Sequence, residues 1–364
     1  MQEDYSCPME ILLGARLRKL SGPILITGHT GFKGTWLTFL LQHLNVSTVG
    51  YSLPPTPDSL YDRANLIGKI PEIFGDIRDK SQLTTFIRNY RPSAIIHMAA
   101  QPLVLESYKT PRETFEINTM GTVNVLDAAF ETDFVKAVIV VTTDKVYRND
   151  NSGRAFIESD PLEGKDPYSA SKVAAEAVVS AWQQIAKVSG GPKVTSVRAG
   201  NVIGGGDWAV DRLIPDLVRG FISGIPTQIR NPESTRPWQH VLDPLIGYLM
   251  TLENVLDNKT IKSLNFAPEG KSLPVQNIAE YAVAKWSSDI DFELIQNRKL
   301  ILKESINLDL NPAFAQKELG WIPLWTQLEA VDSTIQWWKQ VILAGANPEE
   351  ISIEEIAKIK FNIK

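Results

Sequence analysis

The sequence predicts an α/β protein: a doubly wound parallel sheet with a smaller C-terminal lobe. Three observations carry that prediction. Short β-branched apolar runs alternate with helix-length segments from Pro23 to Ala199. A glycine-containing turn joins the first such run directly to a helix-like stretch. After Ala199 the alternation lapses into a segment rich in Gly, Pro, Arg and Trp. Strands separated by helices need crossover connections, which means parallel pairing with helices on both faces.

The elements follow in order. Residues 1–20 are acidic before they are apolar, with basic residues last, the reverse of a secretory signal, and read as a short leader helix or arm. ILIT (24–27) is the first strand, TWLTFLLQHL (35–44) the first helix and VSTVGYS (46–52) the second strand. SQLTTFIRNY (81–90) reads as helix and AIIHMAA (94–100) as strand. RETFEINTMGTVNVLDAAFE (112–131) has the apolar spacing of a buried helix, and AVIVVTT (137–143) is a strand covered on both faces. Residues 168–187 return to helical spacing, and KVTSVRA (193–199) closes the alternation. Residues 21–199, with a return segment at about 238–265, then form the sheet domain. Residues 200–237 and 266–340 form a smaller lobe over one edge, and 341–364 an exposed tail helix.

Composition narrows the function. Against 42 acidic residues the chain has 37 Lys and Arg, a net charge of −5, which argues against a nucleic-acid binder. An apolar content of 43% excludes a mainly disordered chain. No run approaches the ~18 apolar residues of a membrane span. The single cysteine, Cys7, permits no intrachain disulfide and fits a reducing, cytoplasmic setting. His29, His43, His97 and His240 show no metal-ligand spacing, so no metal site is expected. His97 follows a buried strand and reads as a core or cofactor-edge residue.

Gly28, Gly31 and Gly34 lie in TGHTGFKG (27–34), straight after a strand and opening a helix. Glycine is needed where the chain turns tightly and where backbone approaches a pyrophosphate, and the helix N-terminus offers its free N–H groups to phosphate. A purely structural turn is the alternative, and the flanking strand and helix weigh against it. Thr30, Phe32 and Lys33 share the loop; Lys33 either contacts a phosphate or sits in solvent. The second strand ends Gly50-Tyr51-Ser52, without the acid that holds an adenosine ribose and without an arginine for an extra phosphate. NAD is the expected cofactor. The G-x-x-G-x-x-G spacing resembles the extended short-chain dehydrogenase/reductase superfamily, which implies a Rossmann-type sheet. On that resemblance Asp76 and Ile77 in GDIRD (75–79) match an adenine-contacting pair, and Ala99 in HMAAQPLV (97–104) faces the cofactor.

Tyr168 and Lys172 form Y-x-x-x-K in DPYSASK (166–172), one face of a helix. Alone this is a common surface pair. With the glycine loop upstream and a buried strand between, it reads as a catalytic pair whose neighbouring cation lowers the phenol's pKa. By resemblance Thr143 binds the substrate alcohol, and Asn118 stands at the substrate and holds the site's geometry; a buried structural amide is the alternative for Asn118. In TTDKVY (142–147), Asp144 and Lys145 resemble the acid–base step of sugar-nucleotide 4,6-dehydratases, in the Asp-Lys form of the CDP-glucose branch. Similar strings run over roughly residues 22–340, among them RAGNVIGGGDWAVDRLIPD (198–216) and RPWQHVLDPL (236–245).

The resemblance implies a reaction in three steps. Tyr168 takes the sugar 4-OH proton as hydride leaves C4 for NAD. Asp144 then protonates the departing 6-hydroxyl, while Lys145 is the C5 base or stabilises the enolate. Hydride finally returns to C6. Asn201, Arg212, Arg236 and Asn265 are the implied contacts to the nucleotide diphosphate. The bland alternatives are a packed corner for Arg236 and a solvated helix-start charge for Arg212. Trp208 and Trp238 either line the pocket or belong to the core. A nucleotide-sugar 4-epimerase and a non-catalytic dinucleotide sensor are the competing readings. The family further implies a homodimer through the helices that include 112–131 and 168–187.

Overall fold

Seven parallel strands form the centre of the molecule, which is a computed structural model describing residues 11–150, 152–257, 259–286, 291–294 and 307–362. Residues 1–10 of the expected arm lie outside that set. The strands are β1 (Ile24–Thr27), β2 (Thr48–Ser52), β3 (Glu72–Phe74), β4 (Ala94–His97), β5 (Ala137–Val141), β6 (Lys193–Ala199) and β7 (Ser263–Phe266). They lie in the order β3-β2-β1-β4-β5-β6-β7, so the winding reverses between β1 and β4. In sheets of this kind ligands bind at that reversal, beyond the carboxyl ends of the strands. Thr27 and His97 end the two strands in register there.

Both faces are covered, and the strand sequences show why. Ile24 and Ile26 of β1 enter one hydrophobic cluster and Leu25 the other; in β5, Ala137, Ile139 and Val141 face the first, Val138 and Val140 the second. Side chains alternate with period two, so a strand apolar at every position must be sandwiched. The second cluster is closed by α2 (Lys80–Tyr90), α3 (Pro111–Phe130, with a π-helical turn at Glu116–Met120) and α4 (Pro167–Ser189). The first is closed by α1 (Phe32–His43), α6 (Leu242–Leu256) and α8 (Gln327–Ile342). Beyond Ala199 short paired segments replace the alternation, as at Thr235–Arg236 with Leu273–Pro274, together with α5 (Leu213–Ser223) and α7 (Val275–Trp286). None of the described helices is long and apolar enough to cross a membrane.

Two expectations need correcting. The tail forms a helix, α9 (Pro348–Ala357), but it is not an exposed appendage: it packs on α1, burying Ser352, Glu355 and Ile356. Trp337 of α8 donates to Ser352 Oγ at 3.0 Å, and His240 Nε2 lies 3.1 Å from Glu355. The buried stripe has helical spacing, yet two of its three members are polar, so hydrophobic periodicity cannot see it. The described part of the arm is no helix of its own. Ile11–Leu12 pairs in parallel with Phe361–Asn362, and a single 3-10 turn follows at Leu17–Lys19.

Candidate active site

The glycine loop forms a cradle that a side chain would fill. Gly28 has φ +79°, and a Cβ there would lie 2.8 Å from the backbone nitrogen of Ala99. A Cβ on Gly34 would meet the Gly28 carbonyl at 2.1 Å. Gly31 differs: its φ of −76° suits any residue and its missing Cβ would face only the Gly28 carbonyl, at 3.3 Å. It is the N-cap of α1, and among the described residues no side-chain cap is made at that end. An open approach to uncapped N–H groups suits a diphosphate, so the loop fits the dinucleotide that its spacing predicts. Where an acid was lacking, Ser52 is hydrogen bonded to Thr30 at 2.8 Å. His29 turns inward to Glu72 at 2.7 Å, its ring filling the space beside Gly50. Ile77 is buried against Gly121, and Asp76 is ion-paired with Arg78 at 2.6 Å. Buried His97 is bonded to Thr27 at 2.7 Å and Thr122 at 3.1 Å.

Beside the loop opens a cleft of about 340 Å³ whose lining includes Lys33, Thr143, Asp144, Lys145, Tyr168, Asn201, Arg212 and Arg236. Tyr168 stands in the first turn of α4, which Asp166 caps by accepting from Ser169 N at 2.8 Å and which Pro167 pre-forms. Burial raises the Tyr168 phenol to about 12, opposed by a hydrogen bond with Thr143 and by the charge of Arg212. The expected lowering of this phenol is therefore not a property of the protein alone. Burial also lowers Lys172, to about 8, and its ammonium donates to the Val141 carbonyl at 3.2 Å.

Asp144 and Lys145 lie on a three-residue 3-10 turn, Asp144–Val146, that follows β5. Asp144 Oδ1 accepts from Thr143 Oγ1 at 2.9 Å and lies 3.8 Å from Lys145 Nζ. Its Oδ2 is buried and has no hydrogen-bond partner among the described residues. A buried carboxylate oxygen left unbonded is costly, and such exceptions call for a role. Asp144 is among the residues that line the cleft, where a carboxyl group can exchange a proton with a hydroxyl.

Lys33 is half-buried and lines the cleft, its Nζ 3.5 Å from the Tyr248 hydroxyl. Burial, then the charges of Lys172 and Arg212, lower it to about 7. Arg212 is held by Asp207 at 2.9 Å. Trp238 lines the cleft, whereas Trp208 packs on Trp338 with ring centres 5.1 Å apart.

Two residues expected at the substrate lie elsewhere. Asn118 is spent inside the protein: it accepts from Gln101 N at 2.8 Å and donates to Gln101 O at 3.0 Å and Ser171 Oγ at 2.9 Å. Asn265 is fully buried in β7, accepting from the Tyr147 hydroxyl at 2.7 Å and donating to Phe156 O at 3.0 Å. A motif position cannot reveal that neighbouring backbone has already used an amide. Tyr248 and Glu176 were missed. Glu176 was legible in principle, since it continues the four-residue spacing of Tyr168 and Lys172.

A wound parallel sheet with a glycine cradle at its switch point, and a Tyr–Lys pair in the adjoining cleft, define a dinucleotide-binding α/β protein of the dehydrogenase type. The family model described as the NAD dependent epimerase/dehydratase family matches residues 24–267, and the chain belongs to that family. It is 40% identical over 325 residues to the CDP-glucose 4,6-dehydratase of Salmonella typhimurium, covering 87% of this chain and 90% of the relative. It is 26% identical over 347 residues to the dTDP-glucose 4,6-dehydratase of Neisseria gonorrhoeae, covering 86% and 95%. Among solved structures, the dTDP-glucose 4,6-dehydratase of Streptomyces venezuelae, with NAD bound, has the same fold. Its TM-score is 0.76 at 24% identity, with 90% of this chain and 99% of that one covered.

Proposed function

We propose that the chain is an NAD-dependent sugar-nucleotide 4,6-dehydratase that converts CDP-glucose to CDP-4-keto-6-deoxyglucose. The observation that carries the reading is the buried Asp144 carboxyl group, close to Lys145 through Oδ1 and with no hydrogen-bond partner for Oδ2 among the described residues, in the same cleft as Tyr168. An epimerase needs the phenol but has no water to expel. The 40% identity to a CDP-glucose 4,6-dehydratase supports the nucleotide.

Bound NAD supplies a hydride acceptor at C4 and a donor at C6, so the cycle has no net redox change. Tyr168, hydrogen bonded to Thr143, takes the proton of the sugar 4-hydroxyl, and the adjoining cations stabilise the phenolate it must form. The resulting C4 ketone acidifies C5. Lys145 removes that proton or stabilises the enolate, and Asp144 gives its proton to the departing 6-hydroxyl, which leaves as water. The proton taken from C5 would be returned there as the bound cofactor supplied its hydride to C6. Arg212, Arg236 and Asn201, all on the cleft wall, suit the diphosphate.

The division of labour follows the sheet: residues 21–199 with the return at 238–265 hold the cofactor, and 200–237 with 266–340 hold the substrate. A homodimer through α3 and α4 is supported by Phe115, Met120 and Ile185, apolar and exposed on those helices. A cytoplasmic enzyme supplying deoxysugars for surface polysaccharide, such as O-antigen, accords with the nucleotide-sugar substrate.

The test is mass spectrometry of CDP-, UDP- and dTDP-glucose after incubation with the protein and NAD. Loss of one water from the CDP form alone is expected. Conversion to a C4 epimer without mass change transfers the reading to an epimerase, and no conversion of any substrate to a dinucleotide sensor.

A further inference from the structure

Behind the cleft a buried ion pair touches both ends of the catalytic turn. Arg198 of β6 donates through Nε and Nη2 to the two oxygens of Glu176 on α4, each at 2.8 Å, and both residues are buried. The Glu176 carboxylate also accepts from the Thr142 hydroxyl at 2.6 Å and from Ser196 at 2.8 Å. The remaining arm of Arg198 donates to the Tyr147 hydroxyl at 2.8 Å, and that hydroxyl donates on to Asn265. Thr142 immediately precedes Thr143, Asp144 and Lys145, and Tyr147 closes the same turn. Glu176 lies one helical turn beyond Lys172, on the face that carries Tyr168, and its charge acts on Lys172.

We propose that the Glu176–Arg198 pair is a two-ended clamp that positions the catalytic turn against α4. Thr142 governs the Thr143 end and Tyr147 the Lys145 end. This role rests on the dehydratase reading. A buried ion pair is weak evidence for stability but is well suited to fixing one register, because its hydrogen bonds are directional and breaking them leaves charge unpaired. The cleft needs that register: the helix carries the group for C4 oxidation and the turn carries those for elimination. A small displacement of reacting groups costs rate steeply.

Replacing Arg198 would leave Glu176 buried and unpaired and endanger folding, so the test uses the clamp's two contacts. Tyr147→Phe removes one hydroxyl while keeping the ring stacked on Phe156, centres 5.1 Å apart. Thr142→Val removes the other. In single turnovers with CDP-glucose and NAD, Tyr147→Phe should form NADH at the wild-type rate and consume it roughly 10- to 100-fold more slowly. Thr142→Val should instead slow NADH formation. Wild-type rates in both steps for Tyr147→Phe overturn the clamp, as does equal slowing of both steps in both variants, the mark of a merely structural role. A wild-type protein that never yields the dehydrated product overturns the function itself, and with it any role of the clamp in elimination.

Discussion

Two pairs of reactive side chains share one cleft and are built in opposite ways. Tyr168 and Lys172 stand four residues apart on a 23-residue helix, so local periodicity alone puts them on one face. Asp144 and Lys145 are adjacent on a three-residue turn with no regular ladder to hold them. What fixes the turn comes from distant sequence: Glu176, Arg198 and the strand that carries Asn265. A pair positioned by its own helix is robust to change elsewhere, whereas a pair positioned by tertiary contacts can be detuned from behind.

The largest effect should come from breaking the helix pair. Tyr168→Phe should bind NAD as the wild type does while turnover falls by roughly 10²- to 10⁴-fold. Fluorescence titration and product assay check this, and turnover within tenfold of wild type would sink the role. Lys145→Ala should separate the two pairs. C4 oxidation proceeds, elimination stalls, and NADH accumulates on the enzyme, with product formation down roughly 10²-fold. Unhindered water loss would show that Lys145 is not the base.

Smaller and diagnostic is the alkaline limb of the rate. Lys172, lowered to about 8, loses its proton as pH rises through that value, so activity should fall there. Glu176 raises this value, and Glu176→Gln should therefore move the fall to lower pH; a limb unmoved in that variant would detach Glu176 from the helix pair. A separate effect, on stability rather than rate, lies outside both pairs. Burial lowers His97 from 6.5 to about 3. Its neutral form contributes stability that is complete above pH 6.5, where neither state is protonated. As pH falls below 6.5 the unfolded chain takes up a proton that the folded one refuses until about pH 3, and the contribution is lost. His97→Gln should flatten that part of a denaturation profile; an unchanged slope would count against it.

Legibility in the sequence followed the same division. ILIT and KVTSVRA are strands with the bounds that their apolar runs imply, and 168–187 is a helix within two residues at either end. β3 went unread because three residues, Glu72–Phe74, carry no periodicity. The cleft's Tyr, Lys, Asp and Arg were readable as motifs, since chemistry restricts which residues can serve. The internal use of Asn118 stood only as one of two readings, and neither that of Asn265 nor the upward shift of Tyr168 was readable, because both depend on what the fold packs around them. Arg198 was visible only as part of a longer string, and nothing in its spacing points to Glu176.

The pairing of Ile11–Leu12 with Phe361–Asn362 bears on biosynthesis. A ribosome releases the first of these segments hundreds of residues before the second, so the nascent chain carries an unmatched edge throughout elongation. Glu355, whose carboxylate lies 3.1 Å from His240, is equally late. The final packing step must therefore follow translation of residues 355–362, whatever the sheet has already done. Because the pairing is parallel, a fusion partner placed directly after residue 362 would leave from the opposite end of the pair to one placed before residue 11.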